Sequence, residues 1–203
     1  MARMSNHSIT ARQIAAARRA FKAREPRDLF YRAATELVTL ALRGSTSLSL
    51  AEALAVLLQT WNKAYYQYRP FNLRHLDRIE RLLAKHATAL SRYRRARLHT
   101  LNERQKLAVS ALFEEFERAL GPVGAAKALH LLAPRMFPIW DRTIADAYDL
   151  SLGKAGTNGN LYWDFMLIAR NQCLRLMNAP GFATNPLKAI DEYNYCKHTQ
   201  GWL

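Results

Sequence analysis

The chain has 203 residues, with 30 Lys and Arg against 16 Asp and Glu, for a formal charge of +14, and half of its residues are hydrophobic. That length and apolar content support one well-buried core and exclude disorder over most of the chain. The positive excess points to polyanionic partners, and nucleic acid is the first to consider.

No apolar run approaches the length needed to cross a bilayer. Met1 to Arg12 lacks the apolar centre of a secretion signal. The two cysteines, Cys173 and Cys196, are too few for a disulfide framework or an iron–sulfur cluster, and the histidines show no paired metal spacing. These features describe a reducing, cytoplasmic, metal-independent protein, and we expect a monomer with no cofactor.

In chain order, residues 8–24 read as a helix of alanines among Arg12, Arg18, Arg19, Lys22 and Arg24, stopped by Pro26. We expect residues 1–26 to form a basic arm ahead of a single helical domain over 27–203. Leu29, Phe30, Ala33, Leu37, Val38 and Leu42 recur at helical spacing over 27–43, and Gly44 closes that helix. Ser49 and Glu52 make a capping box for a third helix from Leu50 to about Tyr66. Its first half is apolar. Its second half turns polar and aromatic, with Gln59, Trp61, Asn62, Tyr65 and Tyr66, residues suited either to nucleobase contact or to the edge of a core.

Asn72 is an N-cap for a helix over 73–87. Arg92, Arg94, Arg95 and Arg97 follow, with Tyr93 among them, at an expected helix boundary or loop. Four arginines so close repel one another unless anions neutralise them, which marks either a phosphate contact or a solvated face. Thr100 and Glu103 form a second expected capping box, before an amphipathic helix that ends at Gly121.

Leu120-Gly121-Pro122-Val123-Gly124 reads as a glycine hairpin, and Ala125 to Leu132 as the short apolar helix after it. Free amides before a helix suit a phosphate. Pro134 and Pro138 then bound a loop that delivers Asp141 as N-cap of a short helix over 142–149. A flexible loop over 153–160, a helix over 162–177, a break at Ala179-Pro180-Gly181 and a last helix from Pro186 to about Cys196 complete an all-α chain of eight to ten helices.

This order of elements resembles the helix-hairpin-helix DNA glycosylase superfamily. Leu120 to Gly124 is similar to the family's hairpin, within an element over about 107–135, and Pro138-Ile139-Trp140-Asp141 to its catalytic aspartate loop. Val56-Leu57-Leu58-Gln59-Thr60 looks like the segment whose amide fills the gap left by an extruded base. The resemblance implies a bundle whose C-terminal helices pack on its N-terminal part, and an enzyme cleaving the N-glycosidic bond of a flipped base in double-stranded DNA. Asp141 would stabilise charge developing on the sugar and orient water. Gln59 or Asn62 would be the wedge, and Trp61, Tyr65 and Trp140 the base-pocket walls. Gly121, Val123, Gly124 and the arginines at 92, 94, 95 and 97 would hold the duplex.

Two departures stand out. Pro and Gly are exchanged in the hairpin, and Ala126 occupies the place of the family's Schiff-base lysine, with Lys127 one residue later. Lys127 is then either a nucleophile with a lowered pKa or an ordinary phosphate contact; the second implies a monofunctional enzyme. Two other readings compete: a non-catalytic DNA-binding module that keeps only the hairpin grip, and a helical subunit whose basic surface meets an acidic protein.

Overall fold

The first helix, α1 (Ala11–Arg24), opens with a capping box in which Thr10 and Gln13 satisfy each other's backbone amides. Its Ile14 and Ala17 are fully buried. They lie on the side that packs against the C-terminal part of the chain, where Arg18 pairs with Glu192 at 3.2 Å and the Cys196 thiol donates to the Ala17 carbonyl. Over Ala11–Arg24 the helix therefore packs on the body where an arm was expected, its small alanine face letting a neighbour approach closely. The computed structural model describes residues 8–177 and 185–203. Among these residues the fold is all-α, with nine α-helices and no strand.

Helix α2 (Leu29–Leu42) follows Asp28, which sits in the left-handed region at φ 42° without a side-chain cap. Helix α3 (Leu50–Trp61) begins with the expected Ser49–Glu52 capping box. It stops earlier than its periodicity implied. Asn62 leaves helical angles and a single turn, α4 (Lys63–Tyr66), follows.

Helix α5 (Leu73–Arg95) starts at the Asn72 cap and runs past residue 87 without interruption, since no glycine or proline breaks it. Arg92, Arg94 and Arg95 thus occupy a last helical turn, where cations complement the helix dipole, and not a loop. The expected box at Thr100 and Glu103 also shifts. Asn102 and Gln105 form it, while the Thr100 hydroxyl donates to the Arg97 carbonyl.

Helix α6 (Lys106–Leu132) contains one non-helical residue, Gly121, at φ 71° and ψ 169°. The two helical runs meet there with no loop between them, so the expected hairpin is a one-residue kink and Gly124 is already helical. Helix α7 (Arg142–Ala147) has Asp141 as its N-cap, as the sequence indicated. Helices α8 (Gly159–Leu176) and α9 (Pro186–Asn194) follow, and a wide π turn over Tyr195–Thr199 ends the helical part. The expected break at Ala179-Pro180-Gly181 lies outside the described residues.

The core is centred where α6 meets α8. Phe113 stacks on Tyr162 at 3.9 Å between ring centres, and Trp140 stands edge-on to both. The fully buried Glu117 accepts hydrogen bonds from the Asn158 backbone and side-chain amides, which fixes the start of α8.

At Gly121 an added methyl group would lie 2.6 Å from Tyr65 Cε2, on a backbone angle that side chains rarely adopt. Gly121→Ala is therefore expected to lower unfolding free energy by about 3 kcal/mol in urea titration. Gly44 shares the positive φ, with nothing within 4 Å of the added methyl. Gly44→Ala should cost about 1 kcal/mol, from backbone strain alone.

Candidate active site

A helix that stops leaves its last carbonyls without partners, and the kink at Gly121 creates that problem inside the protein. Pro122, which has no amide hydrogen, cannot help. Side chains from two other segments supply the donors. The Tyr65 hydroxyl donates to the Ala119 carbonyl at 3.1 Å, and the Asn62 amide reaches the Leu120 carbonyl at 3.5 Å. Trp140 Nε1 donates to the Pro122 carbonyl at 3.2 Å. These bonds bring the end of α3, the middle of α6 and the Asp141 loop to one place.

A cleft of about 150 Å³ opens at this junction, with Trp61, Lys127, Trp140 and Asp141 among its lining residues. Lys127 Nζ donates to the Trp61 carbonyl and lies 4.9 Å from the centre of the Trp61 ring. Burial pushes the Lys127 ammonium down to about 8, against the opposing pull of Asp191 and Asp141. Asp141 Oδ1 accepts from the Ile144 amide at 2.7 Å, and Oδ2 accepts from the Thr199 hydroxyl at 2.9 Å. A carboxylate retains further lone pairs beyond these two bonds.

The far wall was not foreseen from the sequence. Lys188 Nζ pairs with Asp28 at 3.1 Å and with Asp191 at 3.6 Å, and lies 4.2 Å from the centre of the Tyr31 ring. Burial raises the Asp191 carboxyl, with Lys188 opposing the shift, while the surrounding carboxylates outweigh desolvation and raise Lys188. The Tyr31 hydroxyl lies 2.9 Å from His130 Nε2, and His130 Nδ1 lies 2.7 Å from the Phe137 carbonyl. The carbonyl can only accept, so Nδ1 carries the hydrogen and the Tyr31 hydroxyl donates to Nε2. Burial holds this imidazole down to about 4, which keeps it neutral. Two spacings in the sequence could have revealed this wall: His130 follows Lys127 by one helical turn, and Asp191 follows Lys188 likewise.

The residues singled out from the sequence divide into groups. Asp141, Lys127, Trp61 and Trp140 share the cleft. Lys127 points inward, so a solvent-facing phosphate contact does not describe it. Gln59 is exposed at the end of α3. Asn62 and Tyr65 are bonded to the kink, and Asn62 is buried, which corrects its reading as a wedge. Gly121 and Gly124 are buried, with the Tyr65 ring against the first and the Asn62 amide against the second, while Val123 is half-buried. The face a hairpin would offer to a phosphate is filled from within.

Arg94 is half-buried against the fold. Its guanidinium donates to the Leu132 carbonyl at 3.0 Å and reaches the Thr39 hydroxyl at 3.5 Å, which caps the end of α6 and corrects its reading as a surface contact. Arg92, Arg95 and Arg97 are exposed, and none of them lines the cleft.

The arrangement defines an all-helical protein with a lysine and a carboxylate facing one aromatic-walled cleft. Among the described residues no three His, Cys, Asp or Glu side chains come together as a metal site, and no helix is long and apolar enough to cross a membrane. Compared with protein-family models, curated proteins and solved structures, the chain matches none.

The lowered Lys127 pKa has a definite sign in stability. Below about pH 8 the folded protein carries a desolvated ammonium that the unfolded chain holds in water. Between that value and the ordinary lysine pKa the unfolded state binds more protons, so rising pH stabilises the fold. Lys127→Met removes the charge. The unfolding free energy of the variant relative to wild type should be greatest near pH 7 and fall steadily towards pH 10; a constant difference would contradict the assignment.

Proposed function

We propose that this protein is a DNA glycosylase-like enzyme that cleaves the N-glycosidic bond of a flipped, modified base. One observation carries the reading: Asp141 and Lys127 face the same cleft beside Trp61 and Trp140. A base drawn out of a stack needs a bounded site with aromatic surface; the half-buried Trp61 and Tyr31 rings offer it, while Trp140 is fully buried behind them against the core. As the bond to the base breaks, positive charge grows on the sugar. A fixed carboxylate at that position stabilises the charge and orients the attacking water. The two hydrogen bonds to Asp141 hold its plane in place for that work.

Lys127 offers a second nucleophile. With its pKa down to about 8, about one molecule in ten carries a neutral amine at pH 7. Attack of that amine on the sugar C1′ expels the base with its bonding electrons. The amine gives up both its protons, one to the departing base and one to the ring oxygen as the C1′–O4′ bond opens, and an imine to the protein is left.

A non-catalytic DNA-binding module is the second reading. The double bonding of Asp141 favours it, because a carboxylate that only caps α7 would look the same.

Base release from duplexes carrying single modified bases separates the two. Asp141→Asn keeps a good N-cap and should reduce release by about 100-fold while leaving duplex binding intact. Borohydride added during turnover should trap a covalent adduct with wild type and none with Lys127→Met. Base release without an adduct would assign the attack to water, and no release from any modified duplex would leave the binding module.

A further inference from the structure

The first turn of α2 forms the rim of the cleft, and it is built unusually. Asp28, in its left-handed conformation, is tied to Lys188 across the cleft. The next two residues, Leu29 and Phe30, line the mouth yet are 63% and 59% exposed. Two adjacent large apolar side chains beside a cleft offer an apolar occupant a surface to pack on.

From this point the exposed side of α2 becomes basic and polar. Arg32, Thr35, Thr39 and Arg43 line an open groove along the helix, with Glu36 as its one carboxylate. The groove leads to Arg94, which reaches Thr39 and whose pKa is depressed by burial and by Arg43 and Arg135. Arg135 and Arg97 line the next depression. Among the described residues no carboxylate lies within ion-pair distance of Arg32, Arg43, Arg97 or Arg135. The cleft carries the opposite character, with Glu25, Asp28, Asp141 and Asp191 among its lining residues. Lys127 and Lys188 offset part of that negative charge inside the cleft, whereas along the groove Glu36 is the one carboxylate among the arginines, so the groove is the more favourable path for phosphate. From Leu29 to Arg43 the helix rises about 21 Å, roughly six base-pair steps.

Resting on the glycosylase reading, we infer that the α2 edge is the DNA-facing surface: Leu29 and Phe30 enter the base stack beside the cleft, while the adjoining phosphates run along Arg32, Arg43 and Arg135. The apolar pair takes the place of the extruded base, and so replaces the amide wedge and hairpin grip that the sequence pattern implied.

The test uses a duplex with 2-aminopurine next to a stable abasic analogue, so that no bond needs to break. Wild type should bind and raise the fluorescence. Leu29→Ala with Phe30→Ala should abolish the rise while weakening binding by no more than about tenfold. Arg43→Glu with Arg135→Glu should weaken binding at least tenfold or so at low salt and flatten the log–log salt slope by about two. Arg74→Glu with Arg81→Glu, exposed near the start of α5, is the charge-matched control and should do less. All these side chains are exposed, so thermal melts should match wild type.

A fluorescence rise that survives loss of Leu29 and Phe30, or an Arg43/Arg135 variant that binds no worse than the control, overturns the inference. So does a wild type that does not bind the duplex. Binding and fluorescence rise without base release from any modified duplex would leave the inference standing and remove the glycosylase reading. Base release by wild type, with an unchanged rise in the Leu29/Phe30 variant, would do the reverse.

Discussion

The cleft exists because a buried helix is broken at Gly121 and its loose carbonyls are met by donors from elsewhere. Asn62 and Tyr65, three residues apart, and the distant Trp140 each supply one hydrogen to the backbone around the kink. Leaving a buried carbonyl at the end of the first run unpaired costs roughly 1–3 kcal/mol, so the Tyr65 and Asn62 bonds, with the Trp140 bond to the start of the second run, fix the relative positions of their parent segments. Trp61 precedes Asn62 and Asp141 follows Trp140. Closing the backbone at the kink therefore also brings the aromatic wall to the carboxylate.

The kink also aims Lys127. A continuous helix would carry its second half along the axis of the first. Restarting it at Pro122 gives the second run its own direction, with Lys127 against the Trp61 carbonyl and His130 one turn further on against Tyr31. The ammonium pays for burial with a lowered pKa, while Lys188, surrounded by Asp28, Asp191 and Glu192, moves the other way. Two lysines near one cleft thus differ in basicity because one has carboxylates in contact and the other meets them only at longer range.

Much of the local structure could be read directly from residues. Ser49, Asn72 and Asp141 cap helices through bonds to amides three positions away, so their signals are contained in short stretches. Partners distant in sequence were not legible. Asn62 is an amide among aromatics, a pattern that fits a nucleobase contact as well as a buried donor, and only the Leu120 carbonyl decides between them. Arg94 looked like one of four equivalent arginines, yet the end of α6 lies beneath it and takes its hydrogens. The cleft was half visible: Asp141, Trp61 and Lys127 stood out, whereas Asp28, Tyr31, Lys188 and Asp191 become neighbours only through the packing of α1, α2 and α9.

The π turn over Tyr195–Thr199 has a consequence for how the protein matures. Its wide pitch sets the Thr199 hydroxyl on Asp141 Oδ2, across 58 positions of sequence. A ribosome lays down the carboxylate well before the residue that steadies it. During that interval Asp141 has its own helix to cap but lacks its second anchor. Nascent chains therefore carry an unfinished centre until the segment bearing Thr199 has been made and has folded back onto α7.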